Sequence, residues 1–91
     1  MAEATFTVVD PTGLHARPAA RFVQVASRFA SRIAIHTDAA QADAKSLIGV
    51  LSLAVRPGAS IRLVADGPDA DTALRALADE LTPYVAASVD A

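Results

Sequence analysis

The sequence predicts an α/β (α+β type) fold, an open-faced two-layer sandwich of order βαββαβα with three helices on one face of a four-stranded sheet. Three observations carry that reading. Apolar residues alternate with period two in four short segments, they recur at steps of three and four in the helical segments, and the order of the segments suits helices gathered on one side. With 91 residues there is room for a single domain, 1–91, burying about two-thirds of the surface its unfolded chain exposes.

The first strand runs from Ala2 to Val9, with Ala4, Phe6 and Val8 on one face and Glu3, Thr5 and Thr7 on the other. Asp10-Pro11-Thr12-Gly13 breaks it. Pro18 then marks a helix start, because a residue with no N–H and a fixed φ is tolerated in a first turn but not in a helix interior. The helix therefore begins near Ala16, with Ala19, Phe22, Val23, Ala26 and Phe29 or Ala30 inward and Arg21, Gln24 and Arg28 outward. Ser31 to Thr37 alternates through Ile33 and Ile35 as a second strand, and His36 falls on its outer face. Asp38-Ala39 turns the chain, without the Asn-Gly or Asp-Gly usual in hairpins, into a third strand of about Gln41 to Ala44.

Ser46 suits the N-cap of a short helix through about Leu53, and Arg56-Pro57-Gly58 is a turn. Ile61, Leu63 and Ala65 alternate in a fourth strand, after which Gly67-Pro68 turns the chain. Asp69 or its neighbour caps the last helix, whose apolar face holds Ala70, Ala73, Leu74, Leu77, Leu81 and Tyr84 or Val85, with Asp71 favourably placed in the first turn. Pro83 interrupts the pattern, so that helix kinks or ends near Leu81 and a loose tail runs to Ala91.

The chemistry concentrates in Gly13-Leu14-His15-Ala16-Arg17-Pro18-Ala19-Ala20. His15 lies at or just before a helix start, where unpaired N–H groups and the positive end of the helix dipole favour an anion. A neutral imidazole there offers a nucleophilic ring nitrogen, and Arg17 adds a planar fork of donors suited to phosphate oxygens. Such a corner would accept a phosphoryl group on nitrogen and stabilise it by charge, with no metal or acid catalyst. The same residues would equally serve as a plain helix cap and a solvated arginine.

Gly13-Leu14-His15-Ala16-Arg17-Pro18-Ala19 resembles the active-centre signature of the histidine-containing phosphocarrier (HPr) family of the bacterial phosphoenolpyruvate-dependent phosphotransferase system (PTS). Lys45-Ser46-Leu47-Ile48-Gly49-Val50-Leu51-Ser52-Leu53 resembles the regulatory-serine segment of that family, at the expected separation. The resemblance spans essentially the whole chain. It implies an antiparallel sheet ordered first, fourth, second, third. It also implies a monomeric carrier, without a cofactor, that takes a phosphoryl group on Nδ1 of His15 from enzyme I and passes it to the IIA components of sugar permeases. Arg17 and the backbone N–H groups of Ala16 and Arg17 would stabilise the group in transit.

The resemblance gives Ser46 the place of a serine modified by an ATP-dependent HPr kinase/phosphorylase in many Gram-positive bacteria. A dianion there would repel acidic partner surfaces while the helix dipole tolerated it. Leu47, Ile48 and Leu51 would form a hydrophobic docking patch beside His15, and the run from Leu47 to Leu53 is too apolar for a short helix to bury entirely. Methionine is frequent in relatives at the positions of Ile48 and Leu51, so the stiffer Ile48 is expected to narrow partner tolerance. Arg21 and Gln24 flank the corner, and Arg21 suits acidic partners. Two alternative readings stay open: a regulatory module acting through Ser46 and a catabolite-control transcription factor, and a carrier of a nitrogen-regulatory or dihydroxyacetone-linked branch.

Composition argues against other classes. A formal charge of −2 with interspersed signs leaves no footprint for direct nucleic-acid binding. No apolar run reaches the roughly 18 residues of a membrane span, and no basic region followed by an apolar run opens the chain, so a cytoplasmic protein without membrane insertion is expected. Without cysteine there is no thiolate chemistry, and two histidines without a carboxylate cluster make no metal site. His36 reads as a surface residue. A conventional enzyme such as a histidine phosphatase would need a second acid or base and a pocket beside His15.

Overall fold

The period-two segments pair into one sheet, as half-buried strands must to satisfy their backbone groups. The computed structural model describes residues 1–13 and 15–87. Its strands β1 (Ala2–Val8), β2 (Arg32–His36), β3 (Gln41–Asp43), β4 (Ser60–Asp66) and β5 (Val85–Ala87) lie in the order β3-β2-β4-β1-β5. All four pairings are antiparallel. Apart from β5, this is the expected order.

Register decides the faces. Ala4 opposite Leu63 and Leu63 opposite Ile35 point inward, whereas Thr5 opposite Arg62 and Arg62 opposite His36 form a row on the open face. Helices α1 (Ala16–Ala26), α2 (Leu47–Ser52) and α3 (Ala70–Leu81) supply the other layer. The core joins Val8, Ile35, Ile61 and Leu63 of the sheet to Phe22, Val50, Leu77 and Leu81 of the helices, all at most 2% exposed. Each large side chain buried there contributes about 1.5–3 kcal/mol. Val25, which the helical period had not placed inward, is also buried.

The departures have physical causes. Ser31 stays out of β2, is 1% exposed, and gives its hydroxyl to Asp69. Asp69 does occupy the N-cap position of α3, yet its carboxylate makes no capping bond there; it accepts instead the N–H groups of Ala30 and Ser31. The turn after β2 needs no glycine because the Thr37 hydroxyl accepts from the N–H groups of Ala39 and Ala40. β3 stops at Asp43, and Ala44 enters the core.

The C-terminal region corrects two expectations. Helix α3 ends at Leu81, so Tyr84 and Val85 do not continue its apolar face, and the sheet has five strands instead of four. Pro83 cannot donate to the preceding turn, and the Tyr84 N–H closes back on the Leu81 carbonyl at 2.7 Å. That reversal lays 85–87 along the free edge of β1, where a loose tail was expected. The end of that tail, 88–91, lies outside the described residues.

Candidate active site

His15 is the N-cap of α1, with extended backbone (φ −90°, ψ −173°) and no capping bond from its side chain. Its carbonyl starts the helix by accepting the Ala19 N–H at 3.0 Å, so the backbone does the structural work and the imidazole is left over. His15, Ala16 and Arg17 are exposed, while Pro18 is buried beneath them. The N–H groups of Ala16 and Arg17, in the first turn, have no acceptor within the helix. No acidic residue in that turn offsets the positive helix end, and Arg17 has no ion pair among the described residues.

The loop before His15 is tied at every donor described. The Asp10 carboxylate accepts the Thr12 N–H at 2.8 Å and the Thr12 hydroxyl at 2.5 Å, while its carbonyl accepts the Gly13 N–H at 2.9 Å. The Thr12 hydroxyl, and then its N–H, hold the Asp10 carboxyl below the usual carboxylate range. Gly13 sits at φ +66° and a side chain there would meet the Val55 carbonyl oxygen at 2.3 Å, so only glycine fits between the loop and the segment after α2.

That second segment carries the other expected residues. Ser46 caps α2, its Oγ accepting the Gly49 N–H at 3.1 Å, and it is half-buried. Val50 alone turns fully inward from α2, leaving Ile48 80% exposed and Leu47 and Leu51 nearly 40% exposed. The helix therefore presents an apolar patch, and it belongs to the same corner because α2 packs on α1 and Val55 abuts Gly13. Gln24 is exposed on α1. Arg21 is exposed as well, but its Nε lies 3.6 Å from Oε1 of the half-buried Glu80, a loose pairing at the surface.

Three contributors were not found from sequence. Glu80 pairs with Arg21 across α1 and α3, the exposed Arg56 has its Cα against Gly13, and the Tyr84 carbonyl accepts the N–H groups of Val9 and Asp10. Only the turn signal around Arg56 hinted at any of them. Among the described residues there is no group of three or more potential metal ligands, and one groove lies on the open sheet face around Thr5, His36 and Arg62.

An imidazole with no capping bond at an uncompensated helix start, with a guanidinium two residues on that has no ion pair among the described residues, is an arrangement that can bind a phosphoryl group. The family described as PTS HPr component phosphorylation site matches residues 2–82. The chain belongs to the HPr family. Phosphocarrier protein HPr of Lysinibacillus sphaericus is 47% identical over 77 residues, covering 85% of this chain and 88% of that protein. The histidine-containing phosphocarrier protein of Mycoplasma superposes with a TM-score of 0.88 at 36% identity, over 90% of this chain and 93% of its own. Crh, the catabolite-repression protein of Bacillus subtilis, superposes at 0.71 and is 45% identical over 80% of this chain and 84% of its own. This HPr chain is thus a phosphocarrier of the PTS, carrying the group on a histidine without catalytic turnover of its own, and it works with other PTS proteins. No helix among its described residues is long and apolar enough to cross a membrane.

Proposed function

We propose that His15 is the phosphorylated histidine, that enzyme I is its donor and that the IIA components of sugar permeases are its acceptors, all in the cytoplasm. The observation that carries this is the N-cap imidazole with no capping bond, close in sequence to an Arg17 that has no ion pair among the described residues. Nδ1, the atom implied by the family resemblance, attacks the phosphorus of a phosphohistidine on enzyme I. The new P–N bond forms as the old one breaks, and the reverse exchange hands the group on. Such in-line transfer needs position and charge more than covalent help, and Arg17 with the N–H groups of Ala16 and Arg17 supplies the charge. Leu47, Ile48 and Leu51 form the docking patch, with Arg21 and Gln24 at its margin meeting acidic and polar partner groups.

Intact mass after incubation with phosphoenolpyruvate, magnesium and enzyme I tests this. One acid-labile phosphoryl group is expected on the wild type and none on His15→Ala. Equal labelling of the variant would sink the assignment.

The likeness to Crh and the capping geometry of Ser46 support a second, regulatory role. Phosphorylation of Ser46 by an HPr kinase/phosphorylase would put a dianion next to the patch, slowing transfer and creating a surface for a catabolite-control transcription factor. An acid-stable phosphate on the wild type but not on Ser46→Ala, after incubation with that kinase and ATP, is the expected result.

A further inference from the structure

The short loop from β1 to His15 satisfies all of its described donors. Pro11 has none, Thr12 and Gly13 donate within the loop to Asp10, and Val9 and Asp10 both donate outside it, to one oxygen. That oxygen is the Tyr84 carbonyl, at 2.9 Å from the Val9 nitrogen and 3.1 Å from that of Asp10. Two successive N–H groups on one acceptor fix the direction in which the chain leaves β1. The acceptor is itself held, because the Tyr84 N–H is tied to Leu81 and β5 runs beside β1 with Val85, Ala86 and Ala87 opposite Val8, Thr7 and Phe6.

We propose that β5, acting through the Tyr84 carbonyl, is a positioning element for phosphoryl transfer that holds the loop 9–13 and so aims His15. The proposal rests on the reading of His15 as the acceptor. Both Tyr84 and β5 lie beyond residue 82, where the family match ends. Without β5 the loop keeps its internal Asp10 bonds but loses its outside anchor on this side. It then pivots near Val8 as a unit, displacing the imidazole while the sheet centre stays paired. The patch on α2 and the exposed face of α1 do not depend on Tyr84, so partner binding persists while geometry at phosphorus suffers.

The test uses chains ending after Ala87, Tyr84 and Pro83. A chain ending at Tyr84 keeps acceptor oxygen at that position, as a carboxylate; one ending at Pro83 has none. Transfer from phosphorylated enzyme I is measured against the concentration of each chain, with amide exchange at Val9, Asp10 and Gly13 and, as a folding control, at Ile35 and Leu63. The chain ending at Ala87 should match the full chain, and the one ending at Tyr84, which keeps the acceptor but not the strand that holds it, should show a smaller loss of kcat than the Pro83 chain. The Pro83 chain should lose about tenfold in kcat with KM unchanged, since misplacement of about 1 Å can cost up to about a hundredfold, and its Val9 and Asp10 amides should exchange faster while those of Gly13, Ile35 and Leu63 stay protected. Should the control amides lose protection, the full-length variant with Val85→Gly, Ala86→Gly and Ala87→Gly replaces it, with a smaller loss of kcat expected. An unchanged kcat in the folded Pro83 chain, or in the folded triple-glycine variant where that replaces it, or a rise in KM alone, overturns the proposal. Failure of the full-length wild type to take an acid-labile phosphoryl group would instead overturn the His15 assignment.

Discussion

Arg17 and Gly13 show how much a single position can decide in this protein. Arg17 contributes nothing to the fold that the structure records, so Arg17→Ala should leave stability within about 0.5 kcal/mol. It should nevertheless slow phosphoryl transfer about 10- to 100-fold, the worth of hydrogen bonds to a charged group, measured by rapid-quench transfer from enzyme I. Gly13→Ala is the opposite case. The added Cβ meets the Val55 carbonyl oxygen at 2.3 Å in a left-handed residue, so a loss of about 2–3 kcal/mol in urea unfolding is expected, with transfer impaired as well. Asp69 gives a pH signature. The Ser31 hydroxyl first, and then the Ala30 N–H, hold its carboxyl below the usual range. A carboxylate with a lowered folded pKa stabilises fully above its ordinary value, and that stability is lost as pH falls through the lower folded value. Asp69→Asn should therefore lower the urea midpoint at neutral pH and flatten its acid limb, while the part owed to Asp10 persists.

At the scale of elements, sequence pattern was a good guide where the physics is local. Alternation in Phe6-Val8, Ile33-Ile35 and Ile61-Leu63 announces a half-buried strand whatever its partner, and Pro18 announces a helix start. His15 and Ser46 were legible for the same reason, since a cap is a local device. Asp69 was half legible: its place before α3 could be read, but the competing Ser31 hydroxyl is 38 residues away. Strand β5 was not legible, because Val85-Ala86-Ala87 has no alternation and exists only as the complement of an edge elsewhere. Helix α2 ends in a similar surprise, with Ala54 at φ +50°. Ala54→Gly should relieve this and stabilise by up to about 1 kcal/mol, because the left-handed cost exceeds the entropy glycine adds to the unfolded chain. On the same helix, Ile48→Asp should leave stability nearly unchanged at 80% exposure, while raising KM toward both donor and acceptors about tenfold if Ile48 anchors docking.

The whole molecule places its apparatus on one corner of a two-layer fold, where α1, α2 and the loop from β1 converge, and leaves the open sheet face to Thr5, Arg62 and His36. The fold tolerates exposed chemistry there because its core is elsewhere. Phe22, at 0% exposure between sheet and helices, should cost about 3–5 kcal/mol when replaced by alanine, read by denaturant midpoint. The sheet's margins matter too. Both are three-residue strands, β3 on one side and β5 on the other, so a neighbouring molecule finds few free N–H and C=O groups to pair with. Remove β5, and Phe6, Thr7 and Val8 lose their outer partners, so the edge of β1 lies open along its whole length to another chain. For a phosphocarrier that works with other PTS proteins, a three-residue flap is what shortens the edge on which two copies could join.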